Sequence, residues 1–149
     1  MTLRLPLDFS TVPTPAYVVD FRLLERNLQI LDTVQQRTGC QILLALKGFS
    51  MHAAFPLVGK YLAGITASSL FEARLGYEKM GKQVHIYSPA FIPEDFEELL
   101  GYVDHMVFNS FDQWHRYKSR VQAVEGKRIS CGLRVNPEYS EIRTEIYNP

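Results

Sequence analysis

Lys47 directly follows an unbroken apolar run, Ile42-Leu43-Leu44-Ala45-Leu46, and precedes Gly48-Phe49. Apolar surroundings strip water from an amine, which lowers its pKa and frees its lone pair for attack on a carbonyl. That is what an imine-forming lysine needs. The same position suits a lysine whose stem packs on a strand end while its ammonium reaches water, and on position alone this is the commoner outcome. Arg134 ends a second run, Cys131-Gly132-Leu133-Arg134-Val135. A guanidinium there must meet an acceptor, either a ligand's phosphate or phenolate oxygen or a neighbouring carboxylate. Position does not choose between these.

Other polar residues have plainer readings. Thr66 to Ser69, Ser88, Asn109, Ser110 and Asn136 all follow apolar runs. Ser69 and Ser110 read as helix caps, and Ser88, Asn109 and Asn136 as turn residues. His52, His85, His105 and His115 lack ligand-like spacing with one another or with cysteine, so no metal site is expected. Glu94-Asp95 and Glu97-Glu98 suit the first turn of a helix. Cys40 and Cys131 adjoin or lie within apolar runs and are expected to be small core residues.

The elements that position these residues follow from periodicity. Ala16-Tyr17-Val18-Val19 reads as a strand, after Pro13 and Pro15. Asp20 then caps a helix whose apolar face is Phe21, Leu24, Leu28, Leu31 and Val34, closed by Gly39. Further strands are expected at 42–46, 62–67, 84–87, 106–108 and 129–135. The unbroken apolar run at 42–46 suits a strand buried on both faces of a parallel sheet. Helices lie between them: one from about Met51 to Tyr61, one opened by the Ser69–Glu72 capping box and closed by Gly81, one with Pro93 in its first turn and ending near Gly101, and one opened by Ser110–Gln113. Repeated βα units give either an open doubly wound sheet or a (β/α)8 barrel. The turn Lys47-Gly48-Phe49-Ser50 is no G-x-G-x-x-G, and the even spacing favours the barrel. Five units fall short of the eight strands and roughly 250 residues of a typical barrel, so an incomplete barrel and an open sheet both stand.

The 149 residues hold enough apolar material for one core: the hydrophobic fraction is 46% and the charged fraction 21%. Sixteen basic residues balance sixteen acidic ones, which argues against a nucleic-acid binder and gives no reason for an anionic membrane partner. Two cysteines, no signal-like start and no apolar run near the roughly 20 residues of a membrane helix point to a reduced, cytoplasmic protein.

Five segments in order carry a resemblance: Thr14-Pro15-Ala16-Tyr17-Val18-Val19-Asp20, Leu44-Ala45-Leu46-Lys47, Ala67-Ser68-Ser69, Ile86-Tyr87-Ser88-Pro89 and Leu133-Arg134-Val135-Asn136-Pro137. Together they resemble the alanine-racemase-like (fold-type III) enzymes that use pyridoxal 5'-phosphate (PLP). Within that group the chain looks most like the carboxynorspermidine/carboxyspermidine decarboxylases, on Leu43 to Phe49, Thr66 to Gly76, Tyr87-Ser88-Pro89-Ala90 and the terminal Glu145-Ile146-Tyr147-Asn148-Pro149.

The resemblance implies the N-terminal part of a PLP-binding (β/α)8 barrel, over residues 21–149. The lead-in, residues 1–20, would supply a strand to a C-terminal β-domain. It also implies that Lys47 holds the cofactor covalently and that Arg134 hydrogen-bonds near the cofactor's phenolic oxygen. The implied function is decarboxylation of a carboxylated polyamine to norspermidine or spermidine, by a homodimer whose active sites are shared. In such enzymes the phosphate loop, the carboxylate facing the pyridine nitrogen and the catalytic cysteine lie further along the chain. A 149-residue piece is therefore expected to be inactive alone. Other branches, of diaminopimelate or ornithine/arginine type, and a non-catalytic PLP-binding barrel are the alternatives.

Overall fold

The computed structural model describes residues 8–144 and Ile146. Glu145, Tyr147, Asn148 and Pro149, from the last segment of the resemblance, and most of the lead-in's first half lie outside the described residues.

Local signals set most element boundaries. The Asp20 carboxylate accepts from the backbone N–H groups of Arg22 and Leu23 and opens helix α1 (Phe21–Thr38). Gly39, at φ 71°, closes it in the left-handed region that glycine enters without a Cβ penalty. Ser69 Oγ accepts from Glu72 N to start α3 (Leu70–Met80), and Glu72 Oε2 accepts from Ser68 N. Ser110 Oγ accepts from Gln113 N to start α5 (Phe111–Gln122), and Gln113 Oε1 accepts from Asn109 N. Both boxes are reciprocal, with the returning bond one residue earlier than the standard pattern.

Among the described residues, the strands β1 (Leu43–Ala45), β2 (Gly64–Ala67), β3 (Gln83–Tyr87), β4 (His105–Phe108) and β5 (Ser130–Leu133) form one all-parallel sheet in the order β1-β2-β3-β4-β5. Helices α2 (Phe55–Tyr61) and α4 (Phe96–Tyr102) complete the alternation. Sequential order with every strand parallel is how a barrel is laid down, because each new strand pairs with the one before it. A doubly wound sheet instead reverses its order at a switch point.

Ala45, Thr66, His85, His105 and Ser130 share one register row. Alternation then sends Ile65, Ala67, Val84, Ile86, Met106 and Phe108 to the helix side, where all are buried with Phe96, Leu99 and Tyr117. Helix α3 lies so close to β2 that a Cβ on Gly76 would clash with the Ile65 side chain. The opposite face carries Thr66, Gln83, His85, Tyr87, His105 and Val107, all half-buried and without a helix over them. Gln35 ties α1 to this sheet: its Oε1 accepts from Ile42 N and its Nε2 donates to Tyr61 O.

Residues 16–19 run extended with Tyr17 wholly exposed, and no ladder partner for them occurs among the described residues. Three expectations are corrected. Pro93 does not open α4, which begins at Phe96; Pro93 to Asp95 form a turn before it. Cys40 and Cys131 are exposed, not core. Cys40 follows the helix cap, and Cys131 lies on β5, where no following helix covers the strand and all four residues are exposed. On α1 only Leu28 is buried, while Phe21, Leu31 and Val34 remain exposed, since α2 covers just part of the apolar face.

Candidate functional site

Parallel α/β folds gather chemistry at the carboxyl ends of their strands, where side chains leave the sheet on loops held by rigid elements. Lys47 stands at the end of β1, in a turn closed by Gly48 N and Phe49 N donating to Ala45 O at 3.0 and 3.1 Å. Leu46 is buried to 2% exposure, but Lys47 is exposed. The apolar run packs under the helices and ends one residue before the lysine, at the sheet's edge. Its amine makes no hydrogen bond or ion pair among the described residues and is open to a ligand.

Arg134 follows β5 and is held by its backbone N–H, which donates to Phe108 O at 2.9 Å. Its Nη1 donates to Tyr87 Oη and to Asn109 Oδ1, both at 3.1 Å. Tyr87 Oη itself donates to Asn109 Oδ1 at 2.8 Å, and the guanidinium carbon lies 5.8 Å from the Tyr87 ring centre. Three adjacent strand ends thus meet in one polar triangle. Among the described residues the ion pairs are Arg22–Asp20, Arg74–Glu98 and Arg120–Glu97, so no carboxylate neutralises Arg134. Among the described residues, the structural ion pair that the sequence left open is absent. A cation with only neutral acceptors is what an anionic oxygen requires.

Tyr87 and Asn109 were not singled out for chemistry in the sequence. Tyr87 reads there as an ordinary strand residue and Asn109 as a turn residue; the available signal is register parity, which places Tyr87 on the uncovered face with Thr66 and His85. The other polar strand-end residues keep their plain roles. Ser88 Oγ donates to Ala90 O, and Asn136 Oδ1 accepts from Glu138 N. Lys47 and Arg134 end the first and last strands of the sheet, and no hydrogen bond joins them among the described residues.

Deeper on the uncovered face, the rings of His85 and His105 stack at 3.9 Å with an interplanar angle of 20°. Burial, and next the neighbouring His105, hold the His85 pKa below the usual histidine range, against a smaller opposing pull from Asp104. A depressed folded pKa means that the unfolded chain binds the proton first. The stability tied to neutral His85 is therefore present above about pH 6.5 and is lost as pH falls from there towards the folded pKa. Between about pH 7.5 and about pH 5.5, His85→Gln should lose less of its thermal midpoint than the parent. Equal losses would place the acid sensitivity elsewhere. No cluster of histidine, cysteine and carboxylate residues fit for a metal occurs among the described residues. No helix among them is long and apolar enough to cross a membrane.

No family model matches the chain. Curated relatives do. The chain is 43% identical over 140 residues to a carboxyaminopropylagmatine decarboxylase of Synechocystis, covering 94% of this chain and 35% of the relative. It is 40% identical over 141 residues to a carboxynorspermidine/carboxyspermidine decarboxylase of Campylobacter jejuni, covering 95% and 36%. The crystal structure of carboxynorspermidine decarboxylase from Campylobacter jejuni, complexed with norspermidine, superposes with a TM-score of 0.80 at 41% identity, over 89% of this chain and 35% of that one. D-threonine aldolase from Filomicrobium marinum shares the fold, with a TM-score of 0.73 at 18% identity. The chain spans about a third of the length of the curated relatives it matches.

Proposed function

From this homology to carboxynorspermidine/carboxyspermidine decarboxylases over about a third of their length, we propose that the chain is the N-terminal part of a PLP-dependent decarboxylase acting on a carboxylated polyamine. The observation that carries the reading is the pair of unneutralised cationic groups at strand ends, the Lys47 amine and the Arg134 guanidinium, in a parallel sheet homologous to these enzymes.

Both residues fit the cofactor. The exposed amine of Lys47 is free to bond covalently to an aldehyde carbon. Arg134 has donors left for an oxyanion, because among the described residues Nη1 alone of its guanidinium nitrogens is engaged. PLP, when bound, supplies the electron sink that takes up the bonding pair as carbon dioxide leaves. Lys47 would hold it covalently through its amine. Arg134 would hold an anionic oxygen of the cofactor by a charge-assisted hydrogen bond. Groups for the phosphate, the ring nitrogen and the substrate's distal amines would come from sequence further along, and the active unit would be a homodimer of the longer protein.

Carboxynorspermidine or carboxyspermidine is the substrate class favoured by the segments that first suggested the family. Carboxyaminopropylagmatine is the second reading, since the 43% identical relative acts on it by name. Carbon dioxide release from each of the three, with diaminopimelate and ornithine as controls, tests both. Turnover of a carboxylated polyamine is expected. Turnover of diaminopimelate or ornithine alone would move the protein to another branch.

Arg134→Ala should fold and still accept PLP, but more weakly. A charge-assisted hydrogen bond is worth about 1.5–3 kcal/mol, or about a 10- to 150-fold loss in affinity. PLP titration of the apo-protein reads this, and unchanged affinity together with unchanged turnover would leave Arg134 a structural residue.

A further inference from the structure

The triangle at the ends of β3, β4 and β5 does more than satisfy an arginine. We propose that Tyr87 and Asn109 are positioning residues that clamp the Nη1 corner of Arg134, so that its remaining donors are presented as a preorganised site for one anionic oxygen. This rests on the cofactor reading above for the identity of the oxygen, the ring oxygen of PLP, but not for the clamp itself.

The geometry supports a clamp. An arginine side chain loses about 2 kcal/mol of rotamer entropy when ordered. A guanidinium free at an exposed strand end would lose it on binding the anion. Here two acceptors from two different strands fix the same nitrogen, each at 3.1 Å. The Tyr87 hydroxyl spends its own proton on Asn109 Oδ1, so its oxygen faces Arg134 purely as an acceptor. Asn109 is fixed in turn, since its backbone N–H donates to Gln113 Oε1 within the α5 cap. Both acceptors are neutral, so the clamp orients the cation without quenching its charge. A carboxylate in either place would hold the arginine as well and compete with the ligand. Nε and Nη2 make no hydrogen bond among the described residues. Phenol and amide are the choice of a site that must remain cationic.

The test is a double-mutant cycle on the full-length protein. Tyr87→Phe deletes one oxygen from a half-buried ring and keeps its packing; Asn109→Ala is the second variant. PLP affinity is read from the visible absorbance of the apo-protein titrated with cofactor, in the parent and Arg134→Ala backgrounds. Separately, phenylglyoxal labelling of Arg134 in the apo-protein is followed by mass spectrometry, which needs no cofactor. Each clamp variant should weaken PLP about tenfold in the parent background, a value set by the strength of the hydrogen bonds it releases. The penalty should vanish in the Arg134→Ala background, and Arg134 labelling should speed up several-fold. Equal penalties in both backgrounds, or labelling rates that match the parent, would overturn the proposal. A parent protein that takes up no PLP would remove the cofactor reading only; the labelling rates would then decide the clamp alone.

Discussion

Lys47→Ala in the full-length protein is expected to abolish covalent cofactor attachment and decarboxylation together. Lys47 is exposed at the end of β1, in a turn closed by backbone hydrogen bonds. Its replacement leaves the Ala45–Phe49 turn and the buried Leu46 untouched, so stability should change by no more than about 0.5 kcal/mol. Turnover should fall by at least about 10³-fold, the scale seen when a covalent nucleophile is removed. The visible absorbance of lysine-bound PLP should disappear while the thermal midpoint of the apo-protein stays put. That combination separates loss of chemistry from loss of fold. Turnover within about tenfold of the parent would exclude Lys47 as the attachment point.

Residues 1–149 produced alone are expected to self-associate. Strands β1 and β5 are the edges of the sheet, and each offers a row of unpaired backbone groups to another chain. Strand β5 is exposed along its whole length, and Val135 just beyond it is 82% exposed. The face bearing His85, Tyr87 and His105 has no layer over it, and α1 leaves Phe21, Ile30 and Val34 in solvent. Five units cannot close a barrel of eight, and nothing among the described residues hides those surfaces. Size-exclusion chromatography with light scattering should show oligomers or precipitate for residues 1–149, and a homodimer for the full-length protein. A monodisperse 149-residue monomer with one cooperative unfolding transition would show that the sheet is complete as it stands. It would also take away the reason to place the chain in a barrel.

What was legible in the sequence was local. Asp20, Gly39, Ser69, Gly81 and Ser110 announce helix ends because a cap's chemistry is contained within four residues. The five parallel strands follow from apolar runs at even spacing. The misreadings came where a distant neighbour decides the outcome. Cys131 looks like a core residue inside its run, yet β5 has no covering helix, which no local pattern reveals. Lys47 and Arg134 were visible as candidates because each interrupts an apolar run. Tyr87 and Asn109 were not, since their meeting with Arg134 joins residues 47 and 25 positions away across three strands. Register supplies that information only once the sheet is known.

The central claim is covalent attachment of the cofactor at Lys47. The direct measurement is borohydride reduction of the full-length protein loaded with PLP, followed by proteolysis and peptide mass spectrometry. The cofactor-derived mass is expected on the peptide carrying Lys47 and on no other lysine peptide. Label on Lys60, Lys79, Lys82, Lys118 or Lys127 in its place, or on no peptide at all, would contradict it.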